Sequence, residues 1–176
     1  MKLAEFNKLD ETGMRKELLK CCGSIRWANL MLQSYPFISL NEMKKKATMI
    51  WYEQCIEEDW LEAFSHHPKI GDSKSLQEKF ASTKEWAGNE QASVQSASEN
   101  VIEELAKGNK EYEDKFGFIF IVCATGKSAE EMLQLLKQRL PNNYEDEIKI
   151  AMEEQNKITH IRLEKLLSCA ESPHIF

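Results

Sequence analysis

The sequence predicts an all-α fold, a single multi-helix domain over residues 1–176. Three observations predict it: capping signatures that open helices, apolar positions recurring at the helical period, and a scarcity of glycine and proline. Ser39-Leu-Asn-Glu42, Ser82-Thr-Lys-Glu85 and Ser128-Ala-Glu-Glu131 each place a hydroxyl three residues before a carboxylate. At that spacing the two side chains satisfy each other's orphan amides. Seven glycines and four prolines are too few turn formers for a β-sandwich. A chain of this length buries about two-thirds of the surface its unfolded form exposes, so it needs neither disulfide nor metal to fold.

Taken in order, the pattern predicts helices at 3–21, 24–34, 40–65, 73–81, 84–107, 109–116, 128–139 and 143–169. The third ends at Ser65-His66-His67-Pro68, because the proline ring pushes His67 out of helical geometry. His67 is then either one of two ordinary histidines in a surface turn or, held extended beside a rigid proline, a group placed for acid–base chemistry. In the helix after Trp86, Val94, Ala97, Val101, Ile102 and Leu105 form an apolar stripe. Counting back at about 100° per residue puts Glu90 inside it. A carboxylate there must meet a positive partner or line a wet pocket. The last helix repeats the anomaly: Ile148, Met152, Leu163 and Leu166 share a face with Gln155, Thr159 and Arg162. Its guanidinium, pointing inward, suits a two-donor grip on a carboxylate, whether that of Glu90 or of a ligand.

Phe118-Ile-Phe-Ile-Val-Cys-Ala124 departs from the helical pattern. This continuous apolar, β-branched run has no second strand to pair with, so it is assigned to the core as a buried irregular or extended segment. Its backbone amides and carbonyls would face whatever lies beside it, which makes it a candidate ligand wall.

Bulk properties narrow the function. A net charge of −6, with Lys44, Lys45 and Lys46 offset by acids elsewhere, argues against nucleic acid. The stretch Met1–Phe6 lacks the apolar core of a secretory signal, and no apolar run is long enough to span a bilayer. Cys21, Cys22, Cys55, Cys123 and Cys169 show neither a CxxC pair nor zinc-ligand spacing, so free thiols in a reducing compartment are expected. Pro173–Phe176 is no peroxisomal address, which leaves the cytoplasm as the expected location. Ala124-Thr-Gly-Lys127-Ser128 ends like a phosphate-binding loop, but Ile121 stands where the wrapping glycine is required.

Four motifs occur together and in order: His67-Pro68-Lys69-Ile70-Gly71, Glu85-Trp-Ala-Gly-Asn-Glu-Gln91, Phe116-Gly-Phe-Ile-Phe-Ile-Val-Cys-Ala124 and Ile158-Thr-His-Ile-Arg162-Leu163. In these the chain resembles the 2-oxo-4-hydroxy-4-carboxy-5-ureidoimidazoline (OHCU) decarboxylases, which complete the conversion of urate to allantoin. The resemblance implies an all-α homodimer that releases CO2 and (S)-allantoin with neither metal nor organic cofactor. It implies catalytic roles for His67, Glu90 and Arg162. Substrate contacts would come from Pro68, Ala87, Gly88, Asn89 and Gln91, and from backbone at Phe120, Ile121, Val122, Cys123 and Ala124. Animal members carry serine where this chain has Ala87, so one side-chain hydrogen bond is absent or replaced. Two other readings fit the residues: a decarboxylase or lyase for another ureide or purine-derived ring, and a helical interaction module in which Glu90 and Arg162 bridge.

Overall fold

The computed structural model describes residues 1–67 and 91–168, with 91–99 and 168 described in backbone only. Every regular element among them is a helix, as the sequence predicts. The helices are α1 (Leu3–Phe6), α2 (Glu11–Cys21), α3 (Ile25–Gln33), α4 (Leu40–Glu53), α5 (Glu57–Ser65), α6 (Gln91–Phe116), α7 (Ala129–Arg139) and α8 (Tyr144–Ser168). The chain divides into two compact units, Met1–His66 with Met152–Phe176, and His67–Ala151.

In the first unit, two predicted helices are each broken by an acidic cap. The expected 3–21 helix divides because the Asp10 carboxylate accepts the Gly13 amide at 2.8 Å and starts α2 afresh. The short α1 is thereby freed to lay the fully buried Phe6 against Phe37, with ring centres 6.3 Å apart. The expected 40–65 helix divides at Gln54–Ile56. The amides of Gln54 and Cys55 both turn back to the Ile50 carbonyl, at 3.0 and 2.9 Å, and close α4. The Asp59 carboxylate then takes the Ile56 amide at 2.9 Å and opens α5, whose first turn, Glu57-Glu-Asp59, sets negative charge on the positive end of the helix dipole. At the start of α4, Ser39 accepts from Glu42 as predicted. The reciprocal carboxylate reaches Ile38 rather than Ser39, however, so the box is displaced by one residue.

The core of this unit is built on tryptophan. Trp27 and Trp51 are buried, and each finds an acceptor for its indole N–H: Trp27 on the Ala47 carbonyl at 3.1 Å and Trp51 on the Met152 carbonyl at 2.9 Å. These bonds spare the ring nitrogens the desolvation cost of burial and tie α3 to α4 and α4 to α8. At the start of α3, Ser24 accepts from the Trp27 amide, and Glu62 of α5 accepts from the Ile25 amide at 2.9 Å.

In the second unit, α6 runs unbroken through Gly108, where the sequence pattern places a boundary between 107 and 109. A Cβ on Gly108 would come within 2.7 Å of the Leu136 side chain. The residue is a site of close approach for α7 and does not stop the helix. Gly117 ends α6 in the left-handed region, with φ +76°, and returns its amide to Glu113 O at 2.8 Å. Residues 118–124 then run without regular structure, with Phe118, Phe120, Ile121 and Cys123 buried, as expected of this segment. Ser128 and Glu131 form the predicted reciprocal box at the head of α7.

Candidate functional site

His67 follows directly on α5, whose last residue is Ser65 and whose cap is His66. The helix therefore ends where the following proline requires. His67 is half-buried, whereas His66 is exposed at its edge. His66 nevertheless packs its Cβ and ring on Gly23: a Cβ at that glycine would lie 2.6–2.8 Å from His66 Cβ, Cγ and Cδ2. The link between α2 and α3 thus serves as a seat for the end of α5.

Arg162 is half-buried on α8, and its Nη1 reaches the carbonyls of Lys20 and Cys21, each at 3.4 Å. These belong to the last turn of α2, where carbonyls lack helical partners and the dipole is negative, so a cation is stabilised there. The anticipated carboxylate partner, Glu90, lies outside the described residues, as do Pro68, Ala87, Gly88 and Asn89. Gln91 opens α6 and is described in backbone only. The predicted 73–81 helix, the Ser82–Glu85 box and Cys169 also lie outside them.

The buried face of α8 includes the expected Ile148, Gln155, Thr159 and Leu163, while Met152 is half-buried. It follows the four-residue spacing of Glu147, Ala151, Gln155, Thr159 and Leu163, of which three are polar. The Gln155 amide donates to Thr159 Oγ1 at 3.2 Å, and that hydroxyl donates to the Gln155 carbonyl at 3.0 Å. Cys21, Cys22, Cys55 and Cys123 are all in the thiol form. Burial pushes the first three from an ordinary 9.0 up to about 12, so they are held as neutral thiols and are poor nucleophiles. On the same helix His160 meets Thr48 Oγ1 at 2.8 Å, and burial, reinforced by the Lys44 charge, pushes its imidazole below the usual histidine range. A neutral ring there suits a structural tie between α4 and α8 better than proton transfer.

Sequence reasoning missed the strongest polar cluster of the second unit. Glu147 is completely buried and Arg139 is 7% exposed. Arg139 Nε donates to Glu147 Oε1 at 2.6 Å, the Tyr112 hydroxyl donates to the same oxygen, and Asn142 Nδ2 donates to Oε2 at 2.7 Å. Every carboxylate oxygen is thus satisfied, the condition under which a buried charge is tolerated. Burial pushes the Tyr112 phenol above its usual range, so it remains a donor. The guanidinium has one more partner, the Ile121 carbonyl, which accepts from Nη1 at 2.8 Å. It also lies 4.7 Å from the centre of the Phe120 ring. The cluster therefore grips the 118–124 segment.

Among the described residues no three His, Cys, Asp or Glu side chains gather as a metal set would, and no helix is long and apolar enough to cross a membrane.

Comparison with known proteins supplies what the geometry alone does not. The family model described as OHCU decarboxylase matches residues 7–164. The uric acid degradation bifunctional protein TTL of Arabidopsis thaliana is 43% identical over 150 residues, covering 84% of this chain and 45% of that protein. The chain thus spans less than half the length of that relative. A 2-oxo-4-hydroxy-4-carboxy-5-ureidoimidazoline decarboxylase of Haloferax volcanii is 24% identical over 167 residues, covering 94% of this chain and 96% of that one. Among solved structures, an OHCU decarboxylase crystallised in the presence of (S)-allantoin superposes with a TM-score of 0.70 at 39% identity, over 86% of this chain and 97% of that one.

Proposed function

The chain belongs to the OHCU decarboxylase family, and from that premise we propose that it decarboxylates 2-oxo-4-hydroxy-4-carboxy-5-ureidoimidazoline to (S)-allantoin and CO2. The observation that carries this reading is the family match over residues 7–164, which includes all four sequence motifs.

The substrate supplies its own electron sink. When the bond from ring C4 to its carboxylate breaks, the electron pair forms C4=C5, and the C5=N pair moves to nitrogen, which takes up a proton. The resulting C4 enol then loses its hydroxyl proton and gains one at C5, giving the ketone of allantoin. Proton delivery to one face of C5 makes a single enantiomer. His67 carries the proton at the 4-hydroxyl and enol, a task suited to an imidazole, which can both give and take a proton. Glu90 orients His67 or the ring hydroxyl and relays a proton. Arg162 holds an oxyanion or carboxylate of the substrate with its planar donors. Pro68, Ala87, Gly88, Asn89 and Gln91, with the backbone of Phe120–Ala124, shape the remaining contacts. The protein works as one decarboxylase domain, as a homodimer in the cytoplasm, with no metal or organic cofactor.

The test generates the substrate in situ by hydrolysis of hydroxyisourate and follows its decay by absorbance. The protein accelerates the decay, and exhaustive chelation and dialysis leave the rate unchanged. A rate that vanishes with chelator and returns with a divalent ion contradicts the cofactor-free chemistry. A rate equal to the spontaneous one contradicts the substrate assignment.

A further inference from the structure

An irregular buried segment needs something other than a helix or sheet to satisfy and fix its backbone. For residues 118–124 that anchor is Arg139, the last residue of α7. Its Nη1 donates to the Ile121 carbonyl at 2.8 Å and its guanidinium lies 4.7 Å from the Phe120 ring centre, so two adjacent residues are fixed by one side chain. The guanidinium is itself locked. Nε is bound to Glu147 at 2.6 Å, Nη2 donates to the Tyr112 hydroxyl at 3.3 Å, and Glu147 is held from its other oxygen by Asn142. The end of α7 that carries Arg139 is fixed in turn, because Lys115 Nζ donates to the carbonyls of Leu140 and Asn142 at 2.5 and 2.7 Å. Further along the segment, Lys127 Nζ donates to the Cys123 carbonyl at 2.7 Å. A rigid fork with several fixed donors transmits position in a way that a single flexible ammonium does not.

We propose that Arg139 is a positioning residue for the decarboxylation, which sets the backbone of Phe120–Ala124 at the place where it meets the substrate. The inference rests on the reading that this backbone contacts substrate. It adds that the contact depends on a side chain which does not itself touch the substrate. Tyr112 separates this role from mere stability: its hydroxyl bonds Glu147 and Arg139, and Tyr112→Phe removes those bonds while keeping the ring contacts with Phe118 and Phe120.

The experiment compares Arg139→Lys with Tyr112→Phe in the full chain, by steady-state kinetics on substrate generated in situ and by amide hydrogen exchange over 118–124. Both variants lose stability. Arg139→Lys raises KM by about tenfold or more with a smaller change in kcat, as loss of uniform substrate binding requires, and its segment amides exchange faster. Tyr112→Phe keeps KM within about twofold and leaves segment exchange near wild type. If Arg139→Lys does not fold, the double variant Arg139→Met with Glu147→Leu, which leaves neither charge buried alone, replaces it with the same expectations. Wild-type KM and exchange in the Arg139 variant, or equal effects in the Tyr112 variant, overturn the proposal. If the wild-type protein shows no turnover, the functional reading fails by itself, and exchange alone decides whether Arg139 fixes the segment.

Discussion

Replacing His67 with asparagine lowers the rate of allantoin formation by about 10²–10⁴-fold, the usual worth of positioned acid–base catalysis, while the melting temperature barely moves. Asparagine keeps approximate size and some hydrogen bonding but cannot shuttle a proton near neutral pH. The residue lies just past the end of α5, half-buried. His66→Asn is the internal control. His66 caps α5 and packs on Gly23 through its Cβ and the near edge of its ring, and asparagine retains the Cβ and Cγ that make most of that contact. Most turnover should therefore survive in His66→Asn. A dead His66 variant beside an active His67 variant would place the histidine one residue too late, and two active variants would remove histidine from the chemistry.

Glu147→Ala destabilises the protein by about 3–5 kcal/mol, because it leaves the Arg139 guanidinium buried without its counter-charge. The desolvation cost of a buried pair can match or exceed its Coulombic gain, so the damage comes from the orphaned partner and not from the lost attraction. Removing both charges together, as Arg139→Met with Glu147→Leu, should therefore recover most of that loss. Urea unfolding of the single and double variants measures both values. A single variant within about 1 kcal/mol of wild type would mean that the pair is hydrated and carries little energy, as exposed pairs do.

Much of the fold was legible because its signals are local. Ser128 and Glu131 cap α7 as their spacing requires, α5 ends just before the proline step, and the strand-like run at 118–124 is the buried irregular segment expected where no partner strand exists. The breaks at Asn7–Asp10 and Gln54–Ile56 were obscured because apolar periodicity continues across them. Each depends on a single acid, Asp10 or Asp59, taking a backbone amide. Gly108 misled for the opposite reason. It reads as a breaker along the chain, whereas its role is set by Leu136 across the helix pair, a contact with no sequence signature. Of the buried face of α8, Ile148, Gln155, Thr159 and Leu163 were read from the sequence, whereas Glu147 was not, because periodicity assigns a carboxylate to the surface.

Two candidate site residues were singled out by local signals, His67 by a helix end and Arg162 by a charge on an apolar face; both are half-buried, and Arg162 Nη1 reaches the carbonyls of Lys20 and Cys21. The Arg139–Glu147–Tyr112 cluster was not found. Its members come from three helices, and only the tertiary structure brings them together.

Stereospecific decarboxylation is tested most directly by circular dichroism of the allantoin formed as the in-situ substrate decays. With this protein present the signal of (S)-allantoin should rise with protein concentration above the racemic, optically silent spontaneous background. Accelerated substrate loss that yields racemic allantoin, or no acceleration at all, would contradict it.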